Sequence, residues 1–138
     1  MKNRREYHYY ILALMMLCAL LLAVSDMDYN SIFVDEAFHI VVGHQVLRGE
    51  ACPSCPYVTG SIFIHPIIAA VGDSMGGLHG ARFMNTLLGL GAALFIYLTA
   101  RLLFDRRTGL IAFAIFVFSG QALYLMKLAT YDMTAAFF

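Results

Sequence analysis

Three apolar stretches of this sequence, Tyr7 to Ser25, Phe83 to Ala100 and Thr108 to Met126, contain neither proline nor any Asp, Glu, Lys or Arg. Each runs about 18–19 residues, and a bilayer core takes roughly 17–25 residues of helix. Backbone in lipid must satisfy its own hydrogen bonds, so helix is the only spanning form open to a single apolar run. The expected fold is therefore all-α and integral to a membrane. Transmembrane helices are expected at about 7–25, 81–103 and 108–127, with an outer loop at 26–80 and the start of a fourth helix at 131–138. Composition agrees: the 138 residues are 61% hydrophobic and 13% charged, against about 25% charged in an ordinary soluble domain. A soluble chain this small has too little interior for that much apolar surface. The formal net charge is zero, so no basic face invites nucleic acid, and membrane lipid is the expected surrounding.

The first run has the basic start of a signal peptide, with Lys2, Arg4 and Arg5. It is longer than the roughly 7–15 residues of a signal core, and no small-x-small cleavage site follows in Asp26-Met27-Asp28-Tyr29-Asn30. A retained anchor is the expectation. Basic residues favour the cytoplasmic side. Lys2, Arg4 and Arg5 before the first helix, and Arg101, Arg106 and Arg107 between the second and third, place the N-terminus inside and the long loop outside. Arg48 and Arg82 on the outer side count mildly against this. The segment after Asp132 reads as the opening turns of another membrane helix, so the chain is expected to be the N-terminal piece of a larger protein and inactive alone.

The outer loop is too long for an idle connection. Asp35 and Glu36 suit a helix N-terminus, where negative charge meets the positive end of the helix dipole, and Gly49 suits its end. Ala37, Phe38, Val41, Val42 and Val46 leave one side largely apolar, as in a helix lying in the membrane interface. The acidic pair is either a helix cap or a reactive group at headgroup level. His39 lies one turn beyond Asp35, so a divalent metal held by both is conceivable, though two ligands are too few for a tight site. His44 reads as a polar surface residue.

Cys52-Pro53-Ser54-Cys55 carries a Cys-x-x-Cys spacing, which serves disulfides, zinc half-sites and redox motifs. Without a second pair or a thioredoxin-like strand pattern, a local disulfide or two free thiols remain, and an oxidising outer face favours the disulfide. Cys18 falls mid-helix and reads as packing. Ser61 to Gly72 forms a segment too short to span, suited to a second interfacial or re-entrant helix with Pro66 in its first turn. Asp73 to Gly80, with three glycines, reads as a loop. Arg82 then either snorkels to the headgroups or binds a phosphate.

Taken in order, these features resemble the N-terminal region of the GT-C glycosyltransferase superfamily, in its protein O-mannosyltransferase and aminoarabinose-transferase-like branch. The resemblance runs through Asp35-Glu36-Ala37-Phe38 and Leu47-Arg48-Gly49-Glu50, then Tyr57 and His65-Pro66. It continues through Gly80-Ala81-Arg82-Phe83, Ala100 to Phe104, Arg107-Thr108-Gly109 and Tyr131-Asp132-Met133. Two departures stand out. Ile67 occupies the place of the family's second proline, and the Cys52/Cys55 pair is not a general family feature.

The resemblance implies an inverting transferase that takes a sugar from a polyprenyl-phosphate donor at the outer leaflet. The acceptor would be a hydroxyl of a protein, a lipid or a glycan. It makes Asp35 the catalytic base; Glu36 either assists Asp35 or pairs with one of the outer-side cations. The residue chemistry is compatible: a base must take the acceptor proton, and cations must meet the departing phosphate. His65, Arg82 and Lys127 are the outer-side candidates for that second role, and Asp132 lies at the same face, reactive or paired with Lys127 or Arg82. No certain cofactor follows. The rival expectations are a non-enzymatic membrane subunit, packed through glycines at 72, 76, 77, 80, 89 and 91, and a transporter fragment built around Asp132.

Overall fold

A computed structural model describes residues 2–25, 27, 30–58 and 63–138, with side chains from Tyr7 onward. The side chains of Lys2, Arg4 and Arg5, most of the 26–29 segment and the start of the apolar segment at Ser61 lie outside the described residues. All regular structure among the described residues is helical: α1 (Lys2–Val24), α2 (Val34–Arg48), a short 3-10 turn (Cys55–Tyr57), α3 (His65–Leu103), α4 (Arg106–Val117), α5 (Gly120–Met126) and α6 (Tyr131–Phe137). Two helices, α1 and α3, are long and apolar enough to cross a membrane, and α4 with α5 makes a third only if that bent pair crosses as one.

Helix α1 buries a narrow stripe of Leu12, Ala19 and Ala23 and leaves Leu14, Leu17, Leu21 and Leu22 exposed. In water that face would be costly, at about 25 cal/mol per Å² of apolar surface; in lipid it is at rest. The buried stripe joins Leu90, Ala93 and Tyr97 of α3, Phe113 and Val117 of α4, Ala122 and Met126 of α5 and Met133 of α6 in one core.

Helix α2 starts and stops as its sequence dictates. The Phe33 amide donates to Glu36 Oε2 at 3.0 Å, so the third helical residue reaches back to the N-cap. At the other end Gly49 takes φ 64°, with Glu50 N–H donating to the Gln45 carbonyl at 3.0 Å and Gly49 N–H to that of Val46 at 3.2 Å. This left-handed closure favours glycine.

Helix α3 departs from expectation. The Asp73–Gly80 loop is instead helix on both sides of a two-residue break at Gly76 and Gly77. The arms, 65–75 and 78–103, fold back on one another. A Cβ on Gly72 would lie 2.6 Å from the Gly80 carbonyl oxygen, and one on Gly80 would lie 2.0 Å from that of Gly72. In an uninterrupted helix residues eight apart are about 12 Å apart along the axis, so these contacts require a hairpin. Gly72 and Gly80 are thus contact residues; only Gly77, at φ 61° and ψ −151°, takes a conformation that side chains resist. Gly77→Ala should lower stability by about 1–3 kcal/mol, read as a drop in thermal midpoint, although open space surrounds the position.

The expected helix at 108–127 is also divided. Asp105 caps α4 by accepting the Thr108 amide at 2.7 Å, and Ser119 caps α5 by accepting that of Ala122 at 3.2 Å. Ser119 followed by Gly120 offers the backbone an alternative to continued helix, and the axes bend by 65° there. The other glycines serve the chain's own packing: Gly89 lies against Met126 and Met133, and Gly91 against Phe137.

Candidate functional site

Neighbouring helix residues diverge by about 100°, so Asp35 and Glu36 cannot share a face. Glu36 points inward and is fully buried, while Asp35 is exposed. Behind α2, Arg82 on the second arm of α3 meets Glu36 through two parallel bonds, Nε to Oε1 at 2.9 Å and Nη2 to Oε2 at 2.8 Å. Its guanidinium also donates to the carbonyls of Met27, Asn30 and Ser31. Glu36 Oε1 accepts the Ala129 amide at 2.8 Å as well. One carboxylate thus ties the start of α2, the second arm of α3 and the turn before α6. Burial alone would raise its pKa; the Arg82 hydrogen bonds, the Phe33 and Ala129 amides and the Arg82 charge outweigh this and hold it below 4.5.

The turn before α6 is fastened along the same arm. Asn85 Nδ2 donates to the Leu125 and Leu128 carbonyls at 3.0 and 2.5 Å, and the Thr86 hydroxyl to that of Met126 at 2.9 Å. These carbonyls lie in the last turn of α5 and just beyond it, where the helical hydrogen-bond pattern runs out. His65, at the start of α3, is buried beneath the turn. Its Nε2 lies 3.1 Å from the Ala129 carbonyl and its Nδ1 2.8 Å from the Thr134 hydroxyl. The carbonyl only accepts, so Nε2 carries a proton. The His65 ring meets that of His39 edge to face, centroids 4.7 Å apart.

In front of this brace is a cavity of about 300 Å³. Helix α2 contributes Asp35, Phe38 and His39 to its wall, the start of α6 contributes Thr130, Tyr131 and Asp132, and the 3-10 turn contributes Tyr57. The Thr130 hydroxyl donates to Asp132 Oδ2 at 2.8 Å. Cys52 and Cys55 are joined in a disulfide that closes the turn carrying Tyr57. Burial lowers the pKa of His39, opposed by the Asp35 and Asp132 carboxylates, so its ring is neutral near pH 7.

Of the six residues singled out from sequence, the structure brings Asp35 and Asp132 together on the cavity and sets Glu36, His65 and Arg82 behind it. Arg82 is 1% exposed, which corrects the snorkelling alternative; its guanidinium faces protein acceptors. Lys127 points elsewhere, its Nζ donating to the Ser25 carbonyl at 2.7 Å. Among the described residues no group of three or more His, Cys, Asp or Glu is placed to hold a metal ion. His44, expected as a surface residue, is half-buried and meets Asp73 at 2.8 Å across the α2–hairpin contact. That contact is close because Gly43 has no Cβ to strike the Pro66 carbonyl. Nothing in the local sequence marks the His44 pairing.

Three groups make the brace and the wall in front of it acid-sensitive in the same direction: His39, Glu36 and His65, whose pKa burial lowers to about 4. The unfolded chain takes up the His39 proton near its ordinary 6.5 while the folded chain does not, so stability falls as pH drops below about 6.5. Glu36 adds its share below about 4.5, and that loss is complete under its depressed folded value. Thermal midpoints at pH 7.5, 5.5 and 4 should therefore decline stepwise, and His39→Gln should flatten the first step.

Comparisons with family models, with curated proteins and with solved structures found no match to this chain. What fold and site define is an all-helical chain with at least two helices fit to cross a membrane and a cavity that faces two carboxylates.

Proposed function

We propose that this chain belongs to a membrane glycosyltransferase of GT-C type and carries its catalytic base, moving a sugar from a polyprenyl-phosphate donor to a hydroxyl acceptor. The observation that carries the reading is the convergence of Asp35 and Asp132, from elements far apart in sequence, on one cavity in front of a buried ion-pair brace. In the proposed reaction Asp35 takes the acceptor hydroxyl proton as the oxygen bonds to the anomeric carbon. The bond from that carbon to the donor phosphate oxygen breaks, its electron pair leaves with the polyprenyl phosphate, and the anomeric centre inverts. Asp132, fixed by Thr130, orients sugar hydroxyls. Arg82 is neutralised by Glu36 and Lys127 is turned to the Ser25 carbonyl, so the departing phosphate takes its counter-charge from a cation outside the cavity wall.

Transfer is tested directly in membranes bearing the native gene product, supplied with radiolabelled polyprenyl-phosphate hexoses and pentoses. Label passing to a protein, lipid or glycan hydroxyl supports the reading. Wild-type membranes that transfer no label from any donor, with the protein present and folded, would overturn it.

The reading also places the chain in the cell membrane, with the N-terminus cytoplasmic, the α2 region at the outer interface and three or four spans. After mild reduction, an impermeant thiol reagent should label Cys52 and Cys55 from outside intact cells. Labelling confined to inside-out vesicles would reverse the topology.

A further inference from the structure

Tyr57 is 81% exposed, yet its backbone is among the most constrained on this face. Pro53 and Pro56 fix two φ angles, and the Cys52–Cys55 disulfide closes the turn with its Cα atoms 5.4 Å apart. Three successive backbone bonds tighten it further: Cys55 N–H to the Cys52 carbonyl at 3.2 Å, Tyr57 N–H to Ser54 at 3.0 Å and Val58 N–H to Cys55 at 3.2 Å. A tyrosine on a slack loop would fold its ring onto the nearest apolar surface. This one stands exposed on a turn whose backbone is fixed, and the residue lines the cavity that Asp35 and Asp132 share.

A pyranose or furanose presents a face of C–H bonds and an edge of hydroxyls. The cavity offers the complement of both: an aromatic ring on one wall and carboxylates on another. We propose that Tyr57 is the sugar-stacking residue of this site, and that the Cys52–Cys55 turn is the clamp that holds its ring in place. This rests on the glycosyltransferase reading above. It extends that reading by naming the residue that grips the transferred sugar itself, as distinct from the lipid phosphate. Because stacking needs a ring and not a hydroxyl, Tyr57→Phe preserves the function and Tyr57→Ala removes it.

The test uses the native gene product in lipid nanodiscs, with tyrosine ring carbons labelled with ¹³C and the Tyr57 signal assigned by its loss in Tyr57→Phe. It is titrated with a short-chain prenyl phosphate carrying a hexose or a pentose, and with the same prenyl phosphate bearing no sugar. The Tyr57 ring signal shifts with a sugar-bearing probe and stays fixed with the bare phosphate. Tyr57→Ala weakens the sugar-bearing probe by about 3- to 10-fold, Tyr57→Phe by less than about twofold, and neither changes affinity for the bare phosphate. Cys52→Ser/Cys55→Ser gives a loss between these two. The Tyr57 side chain is exposed and carries little of the fold, so the two Tyr57 variants remain folded. Equal affinity of Tyr57→Ala and wild type for the sugar probe would assign the ring to the aromatic belt of the membrane interface, leaving the glycosyltransferase reading intact. A Tyr57 shift produced equally by the bare phosphate also overturns the proposal. If wild type binds neither probe, this inference and the reading beneath it fall together.

Discussion

Glu36→Ala should cost about 3–5 kcal/mol, a large share of the roughly 5–15 kcal/mol that usually holds a domain folded. The expectation follows from what the substitution leaves behind. Arg82 is 1% exposed, and with Glu36 gone its charge stays in the interior without the carboxylate that meets it through two parallel bonds. The Ala129 amide loses its acceptor at the same time, which frees the turn that positions α6. Arg82→Ala should be as damaging by the converse route, since a desolvated carboxylate is no cheaper than a desolvated guanidinium. The Glu36→Met/Arg82→Met double variant should recover much of the loss, because it removes both charges together. Size-exclusion profiles and thermal midpoints in detergent check all three. If either single variant matched wild type, the pair would not be the brace it is described as here.

The position of that brace explains what the sequence disclosed and what it withheld. Asp35-Glu36 stands out as an acidic pair at a helix start, and helix geometry alone requires the two carboxylates to point different ways. Which one turns inward depends on Arg82, 46 residues later, and no local pattern announces that partner. The long apolar runs mark α1 and the second arm of α3, because lipid demands length and hydrophobicity of any span. They did not reveal the breaks. Ser119 and Gly120 interrupt the third run without any charge. Conversely, the glycines from Gly72 to Gly80 look like a loop, although most of them let two helical arms touch. Glycine permits both uses, and only the fold distinguishes them. The Cys52–Cys55 bridge was legible because a three-residue separation leaves little chain to misplace. Asp132 was placed on the same side of the membrane as Asp35 by counting spans, but their shared cavity depends on the Glu36–Ala129 bond, which lies beyond any such count.

Asp35→Asn should separate chemistry from architecture more sharply than any other substitution in the chain. Under the glycosyltransferase proposal it should lower turnover by about 10²- to 10⁴-fold, the usual contribution of a positioned general base. At 1.36 kcal/mol per decade this is roughly 3–5 kcal/mol of transition-state stabilisation. The structural cost should be far smaller. Asp35 is exposed and takes no part in the Glu36–Arg82 brace, so the folded state loses only its favourable place near the helix N-terminus, about 0.3–1 kcal/mol. Donor affinity should hold within a fewfold, because an amide of the same shape remains in the wall, and the loss should fall on kcat rather than KM. Glu36→Gln, one residue away, should instead lose fold and turnover together. A chain in which Asp35→Asn folds, binds donor and transfers sugar at the wild-type rate would have its base elsewhere. Asp132 is then the next group to test, since it is the other carboxylate on the cavity wall. A chain in which neither change affects any transfer would leave the two carboxylates as helix-start residues, and the cavity without chemistry.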